Sequence, residues 1–228
     1  MKISQKLNHS VWFKLFLFVP FFFFLLVLMI QYQTICELGG RLINPISLKT
    51  FIDAWIPFNI YITYTYILCL FYVPLSGILY AFNRRISAIQ FLAFYLSIIF
   101  IYLFTYAIYL VFPTTAQEVM INSFNPQILN EGMFQALQGL YTSSTPLGDF
   151  PSLHVAPLVF MGIFLYKYWR SLFWVFIPFA FLGATGTVLL KFHTLIGLLG
   201  GIAVGYFGYY ILYEKIVLKY LSKFMEGK

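Results

Sequence analysis

The chain has 228 residues, 61% hydrophobic and only 9% charged, with a mean hydropathy of +0.86 and a formal charge of +7. A soluble domain carries roughly 25% charged residues, so a water-soluble fold is excluded and the solvent around this chain is lipid. The length predicts a single membrane-embedded domain over residues 1–228. Its basic residues are scattered over short turns and form no continuous stripe, which excludes nucleic acid as a partner and points instead to anionic lipid headgroups.

About 20 apolar residues cross a bilayer as a helix. Six runs meet or approach that length: 11–30, 56–80, 89–112, 155–166, 171–190 and 194–212. The fourth is short and lengthens if its helix starts at Pro151 or Ser152. The first follows Lys2 and Lys6 but ends in Gln31-Tyr32-Gln33 without a small-residue cleavage site, so it reads as a retained helix rather than a removed leader. Pro20, Pro74 and Pro178 are tolerable inside lipid-embedded helices. The expectation is an all-α, polytopic membrane protein built as a bundle of six transmembrane helices.

Six spans place eleven of the fourteen basic residues on one side: Lys2, Lys6, Lys14, Arg84, Arg85, Lys167, Arg170, Lys215, Lys219, Lys223 and Lys228. Arg41, Lys49 and Lys191 fall on the other, together with Glu37, Asp53, Glu118, Glu131 and Asp149. Because basic residues stay in the cytoplasm, both termini are expected there, in a bacterial inner (plasma) membrane. Two outer connections are long: 31–55 and 113–150. In the second, Asn130 is placed to cap a short helix over 131–141, with Met133, Phe134, Leu137, Leu140 and Tyr141 at helical spacing. Cys36 and Cys69 are not placed to form a bridge.

Chemistry is concentrated in two of the three histidines. His154 opens the fourth span and His193 the sixth, 39 residues apart yet at one depth on the outer side. Ionisable groups at membrane depth are functional candidates by default. Pro151-Ser152-Leu153-His154 reads as a helix start capped by Ser152, and a helix N-terminus is an anion site. Lys191 lies two residues before His193. A cation, a helix N-terminus and two imidazoles are the parts of a phosphoryl-transfer site, one ring attacking phosphorus while the other protonates the leaving oxygen. No metal or cofactor is required.

Phe150-Pro151-Ser152-Leu153-His154-Val155-Ala156, followed by Lys191-Phe192-His193, resembles the type 2 phosphatidic acid phosphatase superfamily of membrane lipid phosphatases and phosphotransferases. Pro-Ser-Leu-His-Val-Ala is a usual second motif of its inositol-phosphorylceramide-synthase-like branch. The run Asp53-Ala54-Trp55-Ile56-Pro57-Phe58 and Phe112-Pro113-Thr114 also look like that branch. The resemblance implies a six-helix bundle with an outer site, His193 as the nucleophile, His154 as the general acid, Ser152 helping to hold the phosphate, and a lipid phosphate or pyrophosphate as substrate. The chain departs from the family pattern at three places. Gly186 and Thr187 stand where the third motif has Ser and Arg, Gly197 stands where it has the Asp that orients the nucleophile, and the first motif has no clear match before Glu118. Lys191, Arg41 or Lys49 are candidates to replace the cation, and Asp53, Asp149 or Glu118 to replace the carboxylate. The alternative is a catalytically impaired protein of the same fold that binds or carries a phospholipid. His193-Thr194-Leu195-Ile196-Gly197 also faintly resembles the histidine helix of rhomboid-type proteases, but no Gly-x-Ser-Gly nucleophile motif accompanies it.

Overall fold

The structure is a computed structural model and describes residues 9–70, 72–121 and 146–226. The helix expected over 131–141 lies outside these residues. Helix α1 (Val11–Leu42) is followed by strand β1 (Ile46–Ser47), the short α2 (Phe51–Trp55) and a 3-10 turn (Ile60–Ile62). Next come α3 (Thr63–Leu70), α4 (Tyr72–Phe82), α5 (Ala88–Val111), β2 (Thr114–Thr115) and α6 (Gln117–Ile121). The C-terminal part holds α7 (Val155–Tyr168), α8 (Arg170–Leu189) and α9 (Leu195–Phe207), continued by a π-helical stretch (Gly208–Val217) and α10 (Leu218–Glu226).

Four of these helical segments are long and apolar enough to cross a membrane among the described residues: Val11–Leu42, Ala88–Val111, Arg170–Leu189 and Leu195–Phe224. The other two of the six expected runs form shorter described helices. The run at 56–80 opens with a 3-10 turn and continues in helices described over 63–70 and 72–82. The run at 155–166 forms a 14-residue helix beginning at Val155 rather than at Pro151 or Ser152. Ser152 N–H donates to Gly197 O and Pro151 O accepts from the Tyr109 hydroxyl, while Ser152 O accepts from Ala156 N–H to lead into the helix. In the opposite sense, α1 outruns its apolar stretch by twelve residues. Its extension is held against α5, where the Tyr32 ring meets Tyr106 and Tyr109.

Helix α1 lies along α5, α7 packs between α8 and α9, and α3 lies on α8. The core is aromatic, with Tyr80, Phe91, Phe94, Phe160, Phe164 and Tyr213 buried. At one end of the bundle, Lys14 is buried and its ammonium donates to Asn83 O (2.7 Å) and Ile86 O (3.1 Å). His9 reaches Arg84 O there, and Lys167 pairs with Glu214. At the opposite end, β1 and β2 pair in parallel, Ile46 opposite Thr114 and Ser47 opposite Thr115, and Thr115 bridges Leu147. That small sheet carries the chain into residues 148–154.

Close helix contact rests on small residues. A Cβ at Gly39 would collide with the backbone carbonyl of Tyr109, whereas one at Gly162 meets only Phe176 at 3.9 Å. Gly39→Ala should therefore cost about 1–3 kcal/mol by forcing α1 from α5. Gly162→Ala should be neutral or raise stability by up to about 1 kcal/mol through helix propensity. Thermal unfolding of both variants in detergent checks the pair.

Candidate active site

Three segments converge at the sheet end: the strand-like run into Asp149, the turn before α7, and the turn between α8 and α9. The last is a tight reversal. The N–H groups of Phe192 and His193 both donate to Thr187 O, and Lys191 takes a positive φ of 61° to let the chain double back. Thr194 then caps α9, its hydroxyl accepting from Gly197 N–H (3.1 Å).

The turn brings His193 to Asp149 and His154. His193 Nδ1 lies 2.9 Å from the Asp149 carbonyl oxygen and 3.4 Å from its Oδ1. His193 Nε2 lies 3.0 Å from His154 Nδ1. A carbonyl only accepts, so His193 carries its proton on Nδ1 and, with both rings neutral, Nε2 presents a lone pair. His154 Nδ1–H donates to that lone pair. The chain of bonds fixes both tautomers and aims His193 Nε2 at the other imidazole.

Asp149 is buried and its carboxylate is fully engaged. Oδ1 accepts from Thr194 N–H (2.8 Å) and Oδ2 from the Thr194 hydroxyl (2.6 Å). A carboxylate at a helix N-terminus is stabilised by the helix dipole. The space it fills is the space of a missing side chain. A Cβ at Gly197 would run into both Oδ1 and the backbone oxygen of Asp149. An acid thus stands beside His193 although position 197 has none.

The other sequence-predicted residues form a neighbouring tie. Asp53 Oδ1 accepts from Leu195 N–H (2.7 Å), while Oδ2 accepts from Thr50 N–H and hydroxyl (both 2.7 Å). Lys191 is buried and turns its ammonium to Ile56 O (2.7 Å) and Asp53 O (3.0 Å). Burial lowers the Lys191 ammonium from its ordinary range, and the nearby Asp53 charge works against that shift. Ser152 is buried, and its hydroxyl oxygen accepts from Val155 N–H at 3.4 Å. Glu118 is exposed on α6, as are Arg41, paired with Glu37 (3.7 Å), and Lys49.

Two tyrosines that sequence reasoning did not single out enclose His154. The Tyr66 ring lies 5.5 Å from it and stacks on Phe192 at 5.2 Å, and Tyr32 meets it edge-on at 6.2 Å. Tyrosine at 18 positions gave no signal for these two. Burial, followed by the proximity of His193, pushes His154 down from 6.5 to about 3.

Apolar helices of spanning length with a His–His–Asp cluster at one end define a membrane-embedded helical protein. Residues 42–211, about three quarters of the chain, match the sequence profile of the PAP2 superfamily, and the chain belongs to that superfamily. Membership points to a phosphatase or phosphotransferase activity on phosphate esters. No curated protein and no solved structure matches the chain.

Because the folded pKa of His154 lies below the unfolded value, the protein binds fewer protons folded than unfolded between pH 6.5 and about 3. The stability this confers is complete above pH 6.5 and is lost as pH falls through that window. Melting temperature in detergent should drop on acidification, and His154→Gln should flatten the drop. A slope unchanged in the variant would show that other groups carry it.

Proposed function

We propose that the chain is a membrane lipid-phosphate phosphatase or phospho-headgroup transferase acting through a phospho-histidine at His193, on the extracytoplasmic face of a bacterial inner membrane. The observation that carries this reading is the oriented imidazole pair, His193 Nε2 facing His154 Nδ1 at 3.0 Å with His193 Nδ1 tied to Asp149. Substrate displaces the hydrogen bond between the rings, and phosphorus enters beside His193 Nε2 with its leaving oxygen toward His154. His193 Nε2 forms a bond to it, the bond to the leaving oxygen breaks, and His154 delivers a proton to that oxygen. Water or an acceptor hydroxyl then attacks the phospho-histidine, and His154 removes its proton.

Asp149 takes the part of the orienting acid. Its carbonyl holds the His193 tautomer and its carboxylate stabilises the positive ring that forms on phosphorylation. Ser152 and the start of α7 are placed to receive phosphate oxygens. Lys191 acts at one remove, fixing Asp53 and Ile56 against the turn that presents His193. In the six-span reading, α3 with α4 and the short α7 complete the crossings that the long helices begin. The gathering of Lys14, Arg84, Lys167 and Arg170 away from the histidines supports cytoplasmic termini. The Pro151-Ser152-Leu153-His154-Val155-Ala156 run supports the inositol-phosphorylceramide-synthase-like branch.

A second reading, a phospholipid-binding protein with impaired catalysis, is favoured by one observation: the buried cation nearest in sequence to His193 is bound to carbonyls. Phosphate release and headgroup transfer by purified protein over a panel of lipid phosphates, pyrophosphates and diesters separates the two. Activity should fall by at least about 10³-fold in His193→Ala and His154→Ala, and by about 10²-fold or more in Asp149→Ala. Since burial holds His154 neutral, its catalytic proton must be gained with substrate, so kcat/KM should rise as pH is lowered from about 8 to about 6. Retention of activity by His193→Ala would remove the phospho-histidine.

A further inference from the structure

A groove of about 600 Å³ runs along the side of the bundle between α7, α8 and α9, and none of Asp149, Ser152, His154 and His193 lines it. On α7 its lining extends from Val155 through Val159 and Gly162 to Tyr166, eleven residue steps or about 16 Å. His154 belongs to a different face of that helix, which continues into buried Met161 and Leu165. Helix α9 separates the two, because Gly201 is pressed so closely on α7 that a Cβ there would meet Ser152 O at 2.7 Å and Val155 Cβ at 2.8 Å. Exposed Tyr166, Pro178, Phe181, Ile202 and Tyr210 form the rim, so the groove opens sideways to lipid. Gly162 sets the floor. It is buried, yet a Cβ there would meet only a Phe176 ring atom at 3.9 Å. A glycine inside a helix admits close approach to its backbone, and no described part of the chain makes that approach here.

The lining itself carries no charge, but one end of the groove does. On α8, Phe173, Ile177, Phe181 and Ala184 face the groove, and the same helical stripe begins one turn earlier at exposed Arg170. The Arg170 guanidinium lies over the Tyr166 ring at 4.8 Å, and Nη2 donates to the Tyr166 hydroxyl at 3.2 Å. Among the described residues no carboxylate pairs with Arg170, whereas neighbouring Lys167 takes Glu214. A guanidinium has five N–H donors in a planar fork that matches phosphate. This end lies beyond the far terminus of α7 from the histidines, a helix of 14 residues or about 21 Å.

The dimensions select the occupant. One leaflet contributes about 15 Å of hydrocarbon, half of a bilayer core of about 30 Å, which matches the length of the groove. Its volume over that length gives a mean cross-section of about 36 Å². That is under half the section of a helix about 10 Å across, so an extended hydrocarbon chain fits and a neighbouring helix does not. We propose that the groove holds one anionic phospholipid from the leaflet on the Arg170 side. Its phosphate rests on Arg170 and one acyl chain lies along α7 over Gly162. The lipid joins α7 to α8 and is a bound companion of the bundle, its phosphate a helix length from His154.

Purified full-length protein in detergent is titrated with phosphatidylglycerol and with phosphatidylcholine of identical acyl chains. Native mass spectrometry counts bound lipid, and thermal unfolding is followed beside it. One phosphatidylglycerol per chain should bind at least about tenfold more tightly than phosphatidylcholine and raise the melting temperature. Arg170→Gln should remove that preference, and Gly162→Leu should weaken both lipids by about tenfold or more by filling the floor. Lys219→Gln, which removes a charge from α10 at the same end, should preserve the preference. Equal binding of the two lipids, a preference that survives Arg170→Gln, or one lost equally in Lys219→Gln overturns the proposal. Binding lost in His193→Ala yet kept in Arg170→Gln would place the lipid at the imidazole pair and overturns it too. A dimer that Gly162→Leu dissociates, with no lipid bound, would seat a second copy in the groove instead. Should Gly162→Leu fail to fold, Arg170→Gln, at an exposed side chain, decides alone.

Discussion

The Asp149 peptide is the point at which the bundle's elements meet. Its carbonyl sets the proton on His193, its carboxylate caps the start of α9 through Thr194, and its N-terminal neighbour Gly148 donates to Thr114 beyond the end of α5. Phe150, on the other side, donates to the Thr114 hydroxyl at 2.7 Å. A buried carboxylate is tolerable only when its lone pairs are met. Here they are met by Thr194, the residue after His193, so the fold of this end and the placement of the imidazole rest on the same bonds. Gly197 completes the arrangement by leaving room.

Asp53 works in a parallel way one turn further out. It caps Leu195 while its own carbonyl, with that of Ile56, receives the Lys191 ammonium. The α8–α9 turn is thus clamped from two directions, by 149 on the inner side and by 53 on the outer. Both clamps are carboxylates at a helix N-terminus, where the dipole favours them. A carboxylate can thus stand beside His193 without coming from the helix that follows it.

Much of the site was legible because hydrophobic length fixes depth. His154 and His193 open their helices at the same end, and counting apolar residues was enough to bring them together across 39 positions. The helix inventory was less legible for reasons that are local. Helix α1 continues through Gln31, Gln33 and Glu37, where hydropathy fades but tertiary packing against Tyr106 and Tyr109 sustains it. The direction of the Lys191 side chain depends on a positive φ that no periodicity reveals. Asp149 was one of several outer acids. The signal that distinguishes it is indirect: a glycine at 197, where the family pattern has an acid, marks a volume that another side chain fills.

The buried Lys14 has a mechanical consequence. Its ammonium is held by carbonyls in the turn after α4, and from there α1 runs unbroken to Tyr32, whose ring edges against His154. The eighteen residue steps from Lys14 to Tyr32 span about 27 Å at 1.5 Å each, so the bonds at the far end set the axial register of a ring at the near end. Helix α1 is in effect a gauge rod. A slip of a single residue would tear the ammonium from its carbonyls and lift the tyrosine off the imidazole together, which makes the spacing of the two membrane faces part of the definition of the site.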